Sequence, residues 1–175
     1  RDLAVAREKT SAARKRHIKK LQEENDPLWA DYAAASKRIT MAAKVAKSDL
    51  IYKLGNTGKL NLYKLFAERA FQLIRPNGVV GLVIPTGTKS HTTTTKFFAR
   101  ISRKNNLKCL FDFENGGHFF PDVHNSQKFC VLVFSMERNF DETRMLFYAD
   151  SVRQTQDDSS TIRVRSSDFE LINPN

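Results

Sequence analysis

The segment from Leu60 to Pro85 constrains the fold more than any other. Leu62, Leu65, Phe66, Ala70, Leu73 and Ile74 recur at helical spacing, which predicts a helix over Leu60 to Arg75 with a broad apolar face. Pro76-Asn77-Gly78 ends that helix in a tight turn, since Asn and Gly both tolerate a left-handed backbone. Val79-Val80-Gly81-Leu82-Val83-Ile84 follows at once, a continuous apolar run that predicts a strand buried on both faces. Helix, short turn and buried strand make one step of an α/β sheet, and the rest of the chain must fit around it.

Downstream, the pattern predicts a helix from about Thr93 to Lys104, then strands over Leu107 to Phe113, Phe129 to Ser135 and Met145 to Ala149. A polar loop is expected over Ser151 to Ser160. Ile162-Arg163-Val164-Arg165 alternates like an edge strand, and Ser166-Ser167-Asp168 caps a short final helix. Upstream, residues 1–24 contain neither Gly nor Pro and read as a single, largely solvated helix. Asn25-Asp26-Pro27 stops it and starts a second, with Asp26 as N-cap and Pro27 in the first turn, fading near Lys47. The expected organisation is a basic helical hairpin over 1–50, an α/β sheet over 51–150, and a polar loop with a C-terminal extension towards a next domain over 151–175. No Gly-rich turn follows a first strand, so a nucleotide fingerprint is missing. A half-sheet of this size leaves one edge exposed.

The net charge of +10 is unevenly spread. Lys plus Arg against Asp plus Glu number 12 against 7 over residues 1–50, 11 against 1 over 51–110, and 6 against 11 thereafter. A polyanion lying along one side would account for this polarity, and so would a solubilising surface with no partner. Cys109 and Cys130 sit in apolar runs at a spacing that fits no zinc set, so they read as buried thiols in a reducing cytosol. The four His are scattered, and no metal is expected. No apolar run approaches the roughly 20 residues of a membrane span. The chain opens within a predicted helix and lacks an initiator Met, and it is expected to be a piece of a longer protein.

Lys59-Leu60-Asn61-Leu62-Tyr63-Lys64-Leu65-Phe66, joined to Arg75-Pro76-Asn77-Gly78 and a strand ending in Pro85, resembles adenine-N6 DNA methyltransferases. More narrowly it is similar to type IIG restriction–modification enzymes and BREX-type phage-exclusion methyltransferases. Further segments match that group in order: Asp26-Pro27-Leu28, Pro85-Thr86-Gly87, Thr94-Thr95-Lys96-Phe97-Phe98, Asp112-Phe113-Glu114-Asn115, Phe120-Pro121-Asp122-Val123-His124, Lys128-Phe129-Cys130 and Ile172-Asn173-Pro174-Asn175. Asn77 departs from the group by replacing the usual first Gly of the turn. The Asn/Asp-Pro-Pro-aromatic loop and the Gly-rich cofactor loop of the family do not occur in this sequence; the resemblance implies that both lie upstream of Arg1.

The resemblance implies the rear half of a Rossmann-like, S-adenosylmethionine-dependent methyltransferase sheet preceded by a helical hairpin. It also implies double-stranded DNA and the front half of the domain as partners, and a fragment that is inactive alone. A base methyltransferase must take its adenine out of the stack and hold it against an aromatic face. Phe120 occupies the place of the family's stacking aromatic, and Phe119 is the neighbouring alternative; either could instead cap the sheet end. Phe66 takes the place of the contact to the cofactor's adenine ring, or belongs to the core face of its helix. Asn61 caps that helix or closes the cofactor pocket, and Pro85 shapes the pocket wall. Lys128 and His124 are candidate contacts to target-strand phosphates. Lys96 and Arg100, with Lys89, His91, Arg103 and Lys104, are candidates for a nonspecific DNA-backbone surface. An RNA methyltransferase and a non-catalytic nucleic-acid-binding module are the alternative functions.

Overall fold

The computed structural model describes residues 3–56, 58–86, 95–102, 104–116, 119–137 and 139–172. The expectations placed on Gly87, Lys89, His91, Thr94, Arg103 and Asn173 to Asn175 fall outside those residues. Two compact units divide the chain, Arg1–Val45 and Ala46–Asn175.

The first unit is helical: α1 (Leu3–Arg7), α2 (Ser11–Glu23) and most of α3 (Pro27–Lys47). The single helix expected over 1–24 breaks before Ser11. Thr10 is extended, and its hydroxyl accepts the Ala13 N–H at 3.2 Å, starting a new helix. A Thr hydroxyl offers the backbone a partner outside the helix, which composition alone does not weigh. The second start is as expected, with Asp26 accepting the Leu28 N–H at 2.8 Å. Neither α2 nor α3 contains a buried residue.

In the second unit, α4 (Leu62–Leu73) leads through the expected turn into β1 (Val79–Pro85). Asn77 is left-handed at φ 59°, and a side chain at Gly78 would meet Ile74 at 2.6 Å. The broad apolar face of α4 is only partly used. Lys64, Leu65, Ala67, Glu68 and Phe71 are buried, while Leu62, Phe66 and Leu73 remain about two-thirds exposed. Glu68 explains the choice. Its carboxylate accepts the N–H groups of Lys53, Leu54 and Gly55 at 2.7, 3.0 and 2.7 Å, mooring the preceding loop on that side of the helix.

After α5 (Thr95–Ser102) come β2 (Leu107–Glu114), β3 (Lys128–Ser135), β4 (Thr143–Ala149), a 3-10 turn (Val152–Gln156), β5 (Ile162–Val164) and α6 (Ser166–Ile172). The sheet order is β1-β3-β2-β4-β5. Among the described strands only the β2–β4 pairing is parallel; β3 runs antiparallel to both of its neighbours, as β5 does to β4. The α/β class is therefore as expected, but a parallel, Rossmann-like order is not seen among the described strands. An antiparallel neighbour needs only a loop, and residues 115–127 return the chain to pair with β2 without a crossover helix. Nor is β1 buried on both faces. It is an edge strand whose residues alternate between exposed and half-buried. Its continuous apolar run records a second face that no described element covers.

The main core lies between the sheet and α4, α5 and α6. Phe71, Phe97 and Phe134 meet there with ring centroids 5.4–6.2 Å apart, and Phe134 and Ile101 are fully buried. A second cluster of Phe113, Leu146 and Ala149, with Phe111, Phe119, Phe129 and Val131 against it, sits elsewhere on the sheet. Truncating Phe134 to Ala should cost about 3–5 kcal/mol in thermal or urea unfolding. Glu68→Ala leaves the N–H donors of Lys53, Leu54 and Gly55 without their acceptor, so a loss of about 2–4 kcal/mol is expected. Glu68→Gln, which keeps one acceptor oxygen, should fall between Glu68→Ala and the wild type.

Candidate site at the carboxyl edge of the sheet

Because β3 runs backwards between β1 and β2, the carboxyl ends of β1, β2 and β4 and the start of β3 share one edge of the sheet. Pro85 pairs there with Phe129, and the Thr86 N–H donates to the Lys128 carbonyl at 3.0 Å. The Thr86 hydroxyl donates to buried Asp112. Phe129 stacks on Phe113 at 5.2 Å with the rings almost parallel.

The two candidate stacking residues separate on this floor. Phe119 packs edge-on against both Phe113 and Phe129, at 5.5 and 5.1 Å, and belongs to the second apolar cluster. Phe120 touches Phe129 edge-on at 5.0 Å and stays 42% exposed. Its backbone is held by Asn115, which is fully buried. The Asn115 amide nitrogen donates to the carbonyls of Phe120 and Val123, both at 3.1 Å, and its oxygen accepts the Phe120 N–H at 2.9 Å. This side chain locks the loop around one aromatic residue. Reading the sequence by residue type missed it, although Asn beside Gly after a strand marks a loop start.

Phe66 is exposed and lines an open apolar groove of about 500 Å³ with Tyr63, Ala70, Leu73, Leu82 and Ile84. It is not part of the buried face of α4. Asn61 occupies the N-cap position of α4 without a side-chain capping hydrogen bond. Lys96 is exposed, whereas Arg100 is turned inward, over the Phe71 ring at 5.1 Å and donating to Asn106 Oδ1 at 3.2 Å. His124 Nδ1 lies 2.8 Å from Ser126 Oγ.

Lys128 is engaged too. Its ammonium donates to Glu114 at 2.7 Å and lies 4.3 Å over the ring of Tyr148. The hydrogen bond to Glu114 holds its pKa above the ordinary lysine value. Tyr148 has a left-handed backbone, φ 58°, which costs an L-residue about 1–2 kcal/mol. An exposed cation–π contact returns about 0.5–1 kcal/mol, so Lys128 does not fully offset that strain. Nothing in the sequence marks Tyr148, because left-handed backbone at a bulky residue has no compositional signal.

At the opposite edge, Arg163 and Arg165 are paired with Glu142 at 3.6 and 3.9 Å, and Arg163 also with Asp158 at 3.2 Å. Much of the charge of the β4–β5 region is cancelled internally. No metal-binding cluster occurs among the described residues, and no described helix is long and apolar enough to cross a membrane.

Both thiols remain protonated at neutral pH. Burial raises the Cys109 pKa, and burial followed by the Asp112 carboxylate pushes Cys130 up to about 11. Native protein should therefore react slowly with iodoacetamide at neutral pH, with Cys130 alkylation accelerating only towards pH 11. Fast labelling of Cys130 at neutral pH would contradict this environment. For the loop, Asn115→Asp replaces the donating amide nitrogen with an oxygen that faces two carbonyls. It should destabilise the protein by about 2–4 kcal/mol and expose residues 115–123 to proteolysis.

The family model described as Eco57I restriction-modification methylase matches residues 32–120, from within α3 through the sheet's first helix and strand to Phe120 itself. No curated protein matches the chain. With just over half of its residues covered by that match, the chain belongs to the Eco57I restriction-modification methylase family.

Proposed function

We propose that the protein carrying this chain transfers a methyl group from S-adenosylmethionine to adenine N6 in double-stranded DNA. In this reading the chain is the rear half of the methyltransferase domain of a type IIG or BREX-like enzyme acting in the cytoplasm. The observation that carries it is Phe120. An apolar ring is kept 42% exposed at the carboxyl edge of an α/β sheet, on a loop tied down by a buried Asn. Ligands of open α/β sheets bind at that edge. An adenine extruded from the duplex needs such a face, worth roughly 1–3 kcal/mol.

The cofactor supplies an electrophilic methyl carbon. The groove at Phe66 suits its adenine ring, being apolar, open and flanked by Tyr63 and Ile84. Phe120 would hold the target base flat, and Asn115 would keep Phe120 from turning away. No covalent enzyme intermediate is required, in keeping with thiols that stay protonated. The unpaired edge of β1 favours docking of the front half of the domain there, with residues 1–50 as a basic insert.

The test is incorporation of labelled methyl groups by the full-length protein into DNA and, in parallel, into RNA. DNA should be labelled at adenine N6, and Phe120→Ala should lower kcat/KM by roughly 10- to 100-fold while Phe120→Trp retains most activity. Labelling of RNA alone would move the assignment to an RNA methyltransferase. Full activity in Phe120→Ala would remove the ring from the mechanism.

A further inference from the structure

We infer that Tyr148 is a second nucleobase platform on this edge, taking a base of the DNA strand that flanks the extruded adenine; the inference rests on the nucleic-acid-facing role proposed above. Its first support is the backbone. Phe111 pairs with Leu146 and Phe113 with Ala149, so Asp112 alone faces Phe147 and Tyr148 across the β2–β4 ladder. This is a β-bulge, a device that re-aims a side chain at the rim of a sheet. The other non-glycine residues with positive φ among those described are Asn25, Asn77 and Asn105, a residue type that tolerates the conformation. Tyr148 alone among them is bulky, and strain of that kind accumulates where a ligand is met.

The second support is what the bulge displays. Tyr148 ends 69% exposed, although its ring lies under the Lys128 ammonium. It stands at the end of β4, parallel to β2, and so at the same edge as the Phe120 loop. Lys128, at the far end of that loop, links the two, being next to the Phe129 on which Phe120 rests. The third support is charge. Glu114, 2.7 Å from Lys128, cancels the cation, so a phosphate gains little here. A neutral planar ligand fits better, and in a nucleic acid that is a base. Lys128 and Glu114 then act as positioning residues that steady the ring.

The experiment compares wild type, Tyr148→Asn and Tyr148→Phe in the full-length protein. The readouts are thermal stability and binding of a fluorescein-labelled, mixed-sequence single-stranded DNA over a salt series. Asn accepts the left-handed backbone, so Tyr148→Asn should melt at or above the wild-type temperature. It should nevertheless bind the strand roughly 10-fold more weakly, with an unchanged salt slope, because a stacked base and not a phosphate contact is lost. Tyr148→Phe should bind within about twofold of wild type. Unchanged affinity in Tyr148→Asn overturns the inference, and so does a loss accompanied by a salt slope shallower by about one. Methyl transfer by the wild type is scored separately: its absence from DNA would overturn the proposed function, while the affinity comparison would still decide Tyr148.

Discussion

The position of β3 governs the rest of this structure. Inserted antiparallel between β1 and β2, it pairs along its length on both sides and carries the fully buried Phe134 into the main core. That one strand fixes which way its neighbours point. With β3 reversed, β1, β2 and β4 all end at the edge where β3 begins, and the loop between β2 and β3 must lie there too. The candidate site follows from this geometry: Pro85, the Phe113–Phe129 stack, Phe120, Lys128 and Tyr148 are far apart in sequence but share one edge.

Around that edge, buried polar side chains hold irregular backbone in place. Glu68 gathers the N–H groups of the loop before α4, and Asn115 satisfies both sides of the loop around Phe120. In each case one side chain meets several backbone groups that would otherwise be desolvated without partners, a costly outcome in a protein interior. The backbone from Lys53 to Gly55 and at Phe120 and Val123 is thereby tied to a buried side chain. A surface aromatic residue on such a loop keeps a defined orientation, which an exposed ring on a free loop would lose to conformational entropy.

Charge is distributed by a similar economy. The basic excess suggested by composition is thinned where cations meet internal partners: Arg100 on Phe71 and Asn106, Lys128 on Glu114, Arg163 and Arg165 on Glu142. Net charge therefore overstates how much positive surface is free to meet a polyanion. Among the described candidate DNA-backbone cations, Lys96 and Lys104 are exposed, whereas Arg100 is drawn inward and Lys128 is paired with Glu114.

The sequence by itself determined the local elements. Helical periodicity placed α4, the Pro-Asn-Gly turn placed the start of β1, Asp26 placed the start of α3, and short apolar runs placed the strands, because these depend on neighbours a few residues apart. The order of family-like segments pointed to the methylase that the family match supports. Tertiary structure alone decided what depends on distant neighbours. It put β3 between β1 and β2, left β1 at an edge, buried Glu68 in place of Phe66, and divided two adjacent Phe residues between packing and exposure. It also strained Tyr148 at a bulge that exists only because two strands meet out of step. Apolar character in a sequence states that a residue can be buried; which partner covers it, and whether any does, is settled only when the sheet is assembled.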